Sequence, residues 1–211
     1  ASKFYLPMLL YVILDEKWLK GRKIEEVARR LASSGVSMIQ LREHKKAREI
    51  IEDARKIKSV IQNYNIPLLV NNRPDIALEA DAGGVHIGQD DVSIYTAKKI
   101  LGKSKLIGVS VHSVEEALLA EKEGANYLSF GSIFPSKTKE SVVRPTSILR
   151  KIKKTVGIPV FAIGGITLEN IDLVIKEGID GICVSRDILD REDIEKRVRE
   201  YLKMLTHILR D

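Results

Sequence analysis

Three groups of side chains in this chain have the makings of an anion- and metal-handling site. In Ser136-Lys137-Thr138-Lys139 two hydroxyls alternate with two ammonium groups. Such a run is either a solvated turn or a seat for an anion, because hydroxyls and ammonium groups both donate to phosphate oxygens. Arg42, His44, Lys45 and Lys46 form a second cationic group. A guanidinium at Arg42 suits a bidentate clamp on phosphate, whereas Lys45, Lys46 and Lys137 read equally well as surface charges. Asn72, Asp90 and Asp91 form the third group and supply hard oxygen ligands. Mg2+ is commonly held by one or two carboxylates together with substrate phosphates. Asp90-Asp91 is equally placed to cap a helix that starts near Ile94.

Glycines and histidines add smaller signals. Gly164-Gly165 ahead of Thr167 and a following helix would bring bare main-chain N–H groups to a helix start, where phosphate is favoured; close backbone packing is the other explanation. Ser185-Arg186 would complete that seat. His112 follows directly on a strand end and is a functional candidate. His86 lies within a strand and reads as structural, and Cys183 as a core residue. The chain shows no pair of catalytic carboxylates, no Ser–His–Asp order and no zinc-ligand spacing.

The elements that must position these residues alternate along the chain. Short apolar runs predict strands at Leu9–Leu14, Ser37–Leu41, Pro67–Val70, Gly84–Ile87, Leu106–Ser110, Tyr127–Phe130, Pro159–Ile163 and Gly181–Val184. Amphipathic stretches predict helices at Ile24–Ser33, Ala47–Tyr64, Pro74–Glu79, Ile94–Leu101, Val114–Glu123, Thr146–Lys154, Leu168–Glu177 and Arg191–Arg210. Strands that are apolar throughout, without alternation, belong to a parallel sheet covered by helices. Gly35, Gly124 and Gly178, each just ahead of a strand, fit helix C-terminal caps. Eight strand–helix units in 211 residues predict a single α/β domain over residues 1–211, a (β/α)8 TIM barrel with short loops. A doubly wound open sheet is the alternative. In a barrel the chemistry lies at the C-terminal ends of the strands, and nearly every strand here ends on polar or glycine-rich residues.

Composition narrows the class. At 44% hydrophobic and 30% charged the chain can bury a sizeable core. One cysteine excludes an intramolecular disulfide and metal sites built on several thiolates. The longest apolar run, Leu6 to Leu14, is too short to span a membrane and runs into Asp15-Glu16-Lys17 without a cleavage pattern. A soluble, cytoplasmic protein is expected, with no membrane partner. The net charge of +6 raises nucleic acid as a partner. However, the basic residues are mixed with acids at helical spacing, as in Arg48–Lys58, and aromatics amount to only 5%. Both features speak against a base-stacking surface. A positive field equally suits small phosphorylated substrates.

Gln40-Leu41-Arg42-Glu43, Asn71-Asn72-Arg73, Gly84-Val85-His86-Ile87-Gly88-Gln89-Asp90-Asp91, Gly108-Val109-Ser110-Val111-His112, Pro135-Ser136-Lys137-Thr138-Lys139 and Ala162-Ile163-Gly164-Gly165-Ile166 occur in this order over nearly the whole chain. Together they resemble the thiamine phosphate synthase family, whose members are (β/α)8 barrels. The resemblance implies an enzyme that joins a pyrimidine methyl diphosphate to a thiazole phosphate with Mg2+ and releases pyrophosphate. By the same resemblance Gln40, Arg42, His44, Asn71, Ser110 and Lys139 contact the pyrimidine diphosphate. Asn72 and Asp91 hold the metal, and Ser136, Thr138, Gly165, Ser185 and Arg186 hold the thiazole phosphate. Arg42 and Lys139 would be the catalytic cations.

Three positions depart from the family pattern. His44 replaces a lysine, with Lys45 next to it, Asn72 replaces an aspartate, and Gly131-Ser132 replaces Gly-Pro. A sister branch, the TenI-type thiazole tautomerases, shares the barrel, and the run around His112 is similar to theirs. In that alternative His112 is an acid–base group at the thiazole ring. A third alternative is a non-catalytic regulator that binds a thiamine precursor or DNA. Small phosphorylated substrates are the expected partners, and self-association into a homo-oligomer is compatible with the sequence.

Overall fold

The computed structural model describes residues 10–135 and 142–207. Its strands are β1 (Leu10–Asp15), β2 (Met38–Arg42), β3 (Leu68–Asn71), β4 (Gly84–Ile87), β5 (Leu106–Val111), β6 (Tyr127–Phe130), β7 (Val160–Ile163) and β8 (Gly181–Val184). They are all parallel and close into a barrel in chain order, the open doubly wound sheet being thereby excluded. Closure is made by β8 against β1, where Tyr11 faces Cys183. The helices are α1 (Ile24–Ser34), α2 (Ala47–Ile61), α3 (Pro74–Glu79), α4 (Ile94–Leu101), α5 (Val114–Glu123), α6 (Ser147–Thr155), α7 (Asp172–Ile175), α8 (Arg186–Leu189) and α9 (Ile194–His207). None of the described helices is long and apolar enough to cross a membrane.

Each strand has two dry faces, which is why its sequence is apolar throughout. Outward residues such as Val12, Leu14, Ile39 and Val85 pack with Leu31, Ile57 and Leu149 of the helices. Inward residues form a separate cluster of Tyr11, Met38, Leu69, Leu106, Tyr127, Phe161 and Cys183. Tyr11, Tyr127 and Phe161 meet edge to face, with ring centroids 5.5–5.6 Å apart. Quadrupoles favour that arrangement over a face-to-face stack. These three rings plug the barrel below its mouth, and Tyr11 reaches the cavity as part of its floor.

The floor needs space as well as bulk. Gly108 on β5 faces Tyr127 in the strand register. A Cβ at Gly108 would lie 2.0 Å from the Tyr127 ring carbon Cζ, so the absent side chain is the room the ring occupies. At helix ends, Gly35 and Gly124 adopt left-handed backbone conformations with φ of 101° and 96° and close α1 and α5, as expected from the sequence.

Gly108→Ala is therefore expected to displace Tyr127 and lower stability by roughly 1–3 kcal/mol, the usual cost of overpacking a filled core. A urea unfolding series read by circular dichroism measures it. An unchanged midpoint would show that the ring has room to move.

Candidate active site

At the C-terminal mouth of the barrel lies a cavity of about 720 Å³. Its lining brings together Gln40, Arg42, His44, Asn71, Asn72, Asp91, Ser110, His112, Gly165, Ser185 and Arg186. These residues meet in one place although the strands bearing them are far apart in the chain; of the cationic group after β2, Lys45 and Lys46 stay outside it. Ser136, Lys137, Thr138 and Lys139 lie outside the described residues.

The wall above the aromatic floor is polar and connected. Gln40 Nε2 donates to the Tyr11 hydroxyl at 2.5 Å, which lies 2.8 Å from the Tyr127 hydroxyl. Tyr127 Oη is 2.8 Å from His86 Nδ1, and His86 Nε2 is 2.8 Å from Ser110 Oγ. Ser129 Oγ closes the group at 3.3 Å from both Ser110 Oγ and His86 Nε2. Burial pushes the His86 pKa down to about 4, because no carboxylate repays the cost of desolvating an imidazolium. His86 is buried within its strand, as the sequence suggests, but it also lines the cavity and holds Ser110. Tyr11, His86 and Ser129 are the site residues that sequence reasoning missed. Their signal was parity: Ser129 lies two positions after the inward Tyr127 and Ser110 four after the inward Leu106, while His86 alternates with the outward Val85 and Ile87.

The β2 end is ordered by acids. Arg42 sits 3.4 Å from Asp15, whose side chain is 2% exposed. Asp15 and Arg42 face one another in the β1–β2 register, so the pair is fixed by the sheet itself. The His44 main-chain N–H donates to Glu16 Oε1 at 2.6 Å. Lys45, next to His44 in the sequence, does not line the cavity. Its ammonium is 2.9 Å from Glu43 and 2.9 Å from Asp53, and 3.6 Å from Glu16. Burial opposes its charge, yet Asp53 and Glu43 outweigh that and raise its pKa above the usual lysine value. Burial likewise pushes the Glu43 carboxyl up to about 7 despite the ammonium beside it. Three acids claim Lys45, and none is left over to turn it toward the mouth.

Asn72 and Asp91 face the metal question. Asn72 takes a left-handed conformation, φ 63°, just past β3, and its N–H donates to the His86 carbonyl at 2.8 Å. Asparagine tolerates this region better than most side chains. Asp91 Oδ2 accepts from the Gly88 N–H at 2.7 Å, which ties the turn after β4. The cap of α4 is not an aspartate: Ser93 accepts from the Thr96 N–H at 3.1 Å. Asp91 is thereby released from the capping role that the sequence allowed. Among the described residues no group of three His, Cys, Asp or Glu side chains is gathered to hold an ion. Asn72 and Asp91 line the same cavity, and one amide oxygen with one carboxylate would suit Mg2+ only with a ligand's phosphates to complete the shell.

The opposite side of the mouth departs more from expectation. Gly164 and Gly165 have φ of 104° and 61°. Added Cβ atoms would lie 2.0 Å from Ser132 Oγ and 2.4 Å from the Pro135 carbonyl, so close backbone packing demands both glycines. The helix expected from Leu168 starts only at Asp172 and has four residues. The main chain there is wound tightly, with i→i+3 bonds from Asn170 to Thr167, Leu173 to Asn170 and Val174 to Ile171. Asn170 ties this turn to the strand end: its Oδ1 accepts from the Thr167 N–H at 2.8 Å while its Nδ2 donates to the Gly165 carbonyl at 2.9 Å. The Ser185 hydroxyl donates to the Ile13 carbonyl at 2.8 Å, so its proton is committed to the barrel wall. His112 is 38% exposed at the rim, with Nδ1 3.3 Å from Glu116. Arg144, which the sequence did not single out, also lines the cavity and donates to the Gly131 and Val142 carbonyls, both at 2.9 Å.

Comparison with known proteins agrees with this geometry. A family model described as thiamine monophosphate synthase matches residues 10–188. The chain is 43% identical to a thiamine-phosphate synthase of Shouchella clausii, over 90% of this chain and 92% of that one. It is 42% identical to a thiamine-phosphate synthase of Caldanaerobacter subterraneus, over 98% and 97% of the two chains. A solved thiamine phosphate pyrophosphorylase from Pyrococcus furiosus superposes with a TM-score of 0.86 at 38% identity, covering 97% of this chain and 98% of that one.

The neutral state of His86 has a consequence for stability. Its folded pKa, about 4, lies below the ordinary 6.5, so the unfolded chain binds the extra proton first. The contribution is complete above pH ~6.5 and is lost as pH falls through ~4, on the order of 3 kcal/mol in all. Urea midpoints at pH 7 and pH 4 should differ less in His86→Gln than in the parent chain. Equal pH dependence in the two would show that His86 titrates normally.

Proposed function

The chain belongs to the thiamine monophosphate synthase family, and from that membership we propose that it acts as a thiamine-phosphate synthase. It would join 4-amino-2-methyl-5-(diphosphooxymethyl)pyrimidine to a thiazole phosphate and release pyrophosphate. The observation that carries the reading is one cavity lined by Gln40, Arg42, Asn71, Ser110 and Asp91 on one side and Gly165, Ser185 and Arg186 on the other. Two anionic substrates need two such walls.

In this reading Gln40, Asn71 and Ser110 orient the pyrimidine, with Ser110 held from beneath by His86. The bond between the pyrimidine methylene carbon and the diphosphate oxygen breaks, and its electron pair leaves with pyrophosphate. The thiazole ring nitrogen then donates its lone pair to the methylene carbon. The work asked of the protein is electrostatic, because charge collects on the departing oxygen. Arg42 meets that charge, oriented by the buried Asp15 carboxylate; Lys139 and His44 would add to it. Mg2+, when bound through Asp91, Asn72 and the diphosphate, supplies Lewis-acid stabilisation of the leaving group. Gly165, Ser185 and Arg186, with Ser136 and Thr138, hold the thiazole phosphate. Since the Ser185 hydroxyl is committed to Ile13, its contribution is assigned to the main-chain N–H.

The tautomerase and regulator readings gain no observation of their own. The relatives named above are synthases, and the His112 ring is drawn to Glu116 at the rim.

Purified protein given both substrates and Mg2+ should form thiamine phosphate and pyrophosphate in equal amounts; intact substrates would end the proposal. Arg42→Ala and Asp91→Ala should each reduce kcat/KM by roughly 10²- to 10³-fold, while His112→Ala retains most activity. An essential His112 with a dispensable Asp91 would point to the tautomerase instead.

The departure at Asn72 gives a separate test. Asn72→Asp restores a charged ligand, so the Mg2+ concentration for half-maximal rate should fall about tenfold, on the order of one kcal/mol of coupling. No change would show that position 72 faces away from the ion.

A further inference from the structure

Arg186 stands at the cavity edge on the first turn after β8, and its guanidinium lies over the ring of Trp18, 4.8 Å from Cζ to centroid. Trp18 itself does not line the cavity. It ends the 3-10 turn Glu16–Trp18 that follows β1. Its Nε1 is buried without a hydrogen-bond partner among the described residues, so the indole's contribution here is the face it offers to a cation.

Acids compete weakly for this guanidinium. Asp190, the carboxylate paired with Arg186, is 3.7 Å from it but 2.6 Å from Lys20. Meanwhile the two loops are stapled together from below. Arg22 donates to the Trp18 carbonyl at 2.8 Å, to the Arg191 carbonyl at 3.2 Å, and to the Leu189 carbonyl. The ring and the guanidinium are thus held in register by main-chain contacts that involve neither of them.

We propose that Trp18 is a positioning residue for the phosphate of the second substrate, acting through Arg186. A π face holds a guanidinium by its flat side and leaves the N–H edge able to donate. A carboxylate in the same place would occupy that edge and cancel the charge. The stack therefore fixes Arg186 toward the cavity without neutralising it. This rests on the reading above, in which Arg186 faces the thiazole phosphate.

Trp18 is the single tryptophan of the chain, so its emission reports on the stack directly. Titration of the intact protein with the thiazole phosphate, and separately with inorganic phosphate, should change that emission saturably. Chloride at matched ionic strength should not change it, and the response should vanish in Arg186→Ala. Kinetically, Trp18→Leu should raise KM for the thiazole phosphate about two- to fivefold, the worth of an exposed cation–π contact. KM for the pyrimidine diphosphate and kcat should stay within about twofold, and Trp18→Phe should restore most of the loss. In the Arg186→Ala background, Trp18→Leu should add nothing, as coupled groups require. If Arg186→Ala raises the thiazole phosphate KM but Trp18→Leu does not, the stack has no positioning role and the inference falls alone. If Arg186→Ala itself leaves that KM unchanged, the phosphate lies elsewhere and the assignment of Arg186 falls with it. Equal losses toward both substrates would mark Trp18 as a merely structural residue.

Discussion

A hydrogen bond between two tyrosine hydroxyls 116 residues apart, Tyr11 and Tyr127, joins the packing of this barrel to its chemistry. Below it are edge-to-face rings, and above it is a polar layer that opens to the cavity. A buried hydroxyl without a partner costs on the order of 1–3 kcal/mol, so each tyrosine must satisfy the other or find a substitute. Burial raises both phenol pKa values well above the ordinary range, so both stay neutral and keep a proton to donate. Gln40 Nε2 donates to Tyr11, and one consistent direction for the chain runs from there: Tyr11 to Tyr127, Tyr127 to His86 Nδ1, and His86 Nε2–H to Ser110. In that arrangement Ser110 has its own proton to give to a neighbour or a ligand. The network extends from β2 to β5 across the interior, so a side chain on one wall sets the donor pattern of the other.

The fold was legible because the barrel rule writes itself into local sequence. β4, β6 and β8 and helices α3, α4 and α5 span the residues that periodicity predicted. Their limits are set by neighbours in sequence: a serine before α4 and α5, a glycine after them. α7 is shorter than its periodicity for a reason that is local. Main-chain bonds of the i→i+3 type wind the stretch from Thr167 to Val174 tightly, and Asn170 ties its start to the Gly165–Thr167 turn. The stretch from Leu168 has helical amphipathicity, but its regular helix is confined to Asp172–Ile175. Arg191 to Asp193 likewise precede α9, whose start is at Ile194.

The site was legible in its membership and much less so in its internal economy of charge. Polar residues at strand ends converge because a closed parallel barrel sends all such ends to one rim. What each cation is bound to depends on partners distant in sequence. Lys45 adjoins the position where the family pattern has a lysine, and Glu16, Glu43 and Asp53 converge on it from the β1, β2 and α2 segments. No spacing rule announces that cluster. Arg186 and Trp18 are 168 positions apart and meet only because β8 closes on β1.

Those partners divide the cations of the mouth by how much charge each keeps for a ligand. Lys45 is enclosed by carboxylates and adds nothing to an incoming anion. Arg42 shares itself with a single acid at 3.4 Å, longer than a tight charge-assisted bond, so it is aimed but only partly compensated. Arg186 rests on an aromatic face and shares its one acid, Asp190 at 3.7 Å, with Lys20 at 2.6 Å, so it is less compensated than Arg42. On the proposed assignment this order suits the two substrates. Charge grows on the departing diphosphate as its bond breaks, so a guanidinium held in place by Asp15 would favour that state over the bound substrate. A phosphate that only anchors its substrate would be served by the less compensated guanidinium. On the same assignment the wall that meets the diphosphate lacks one carboxylate, at Asn72, and one lysine ammonium, at His44, which would leave Arg42 a larger share of its cationic side chains.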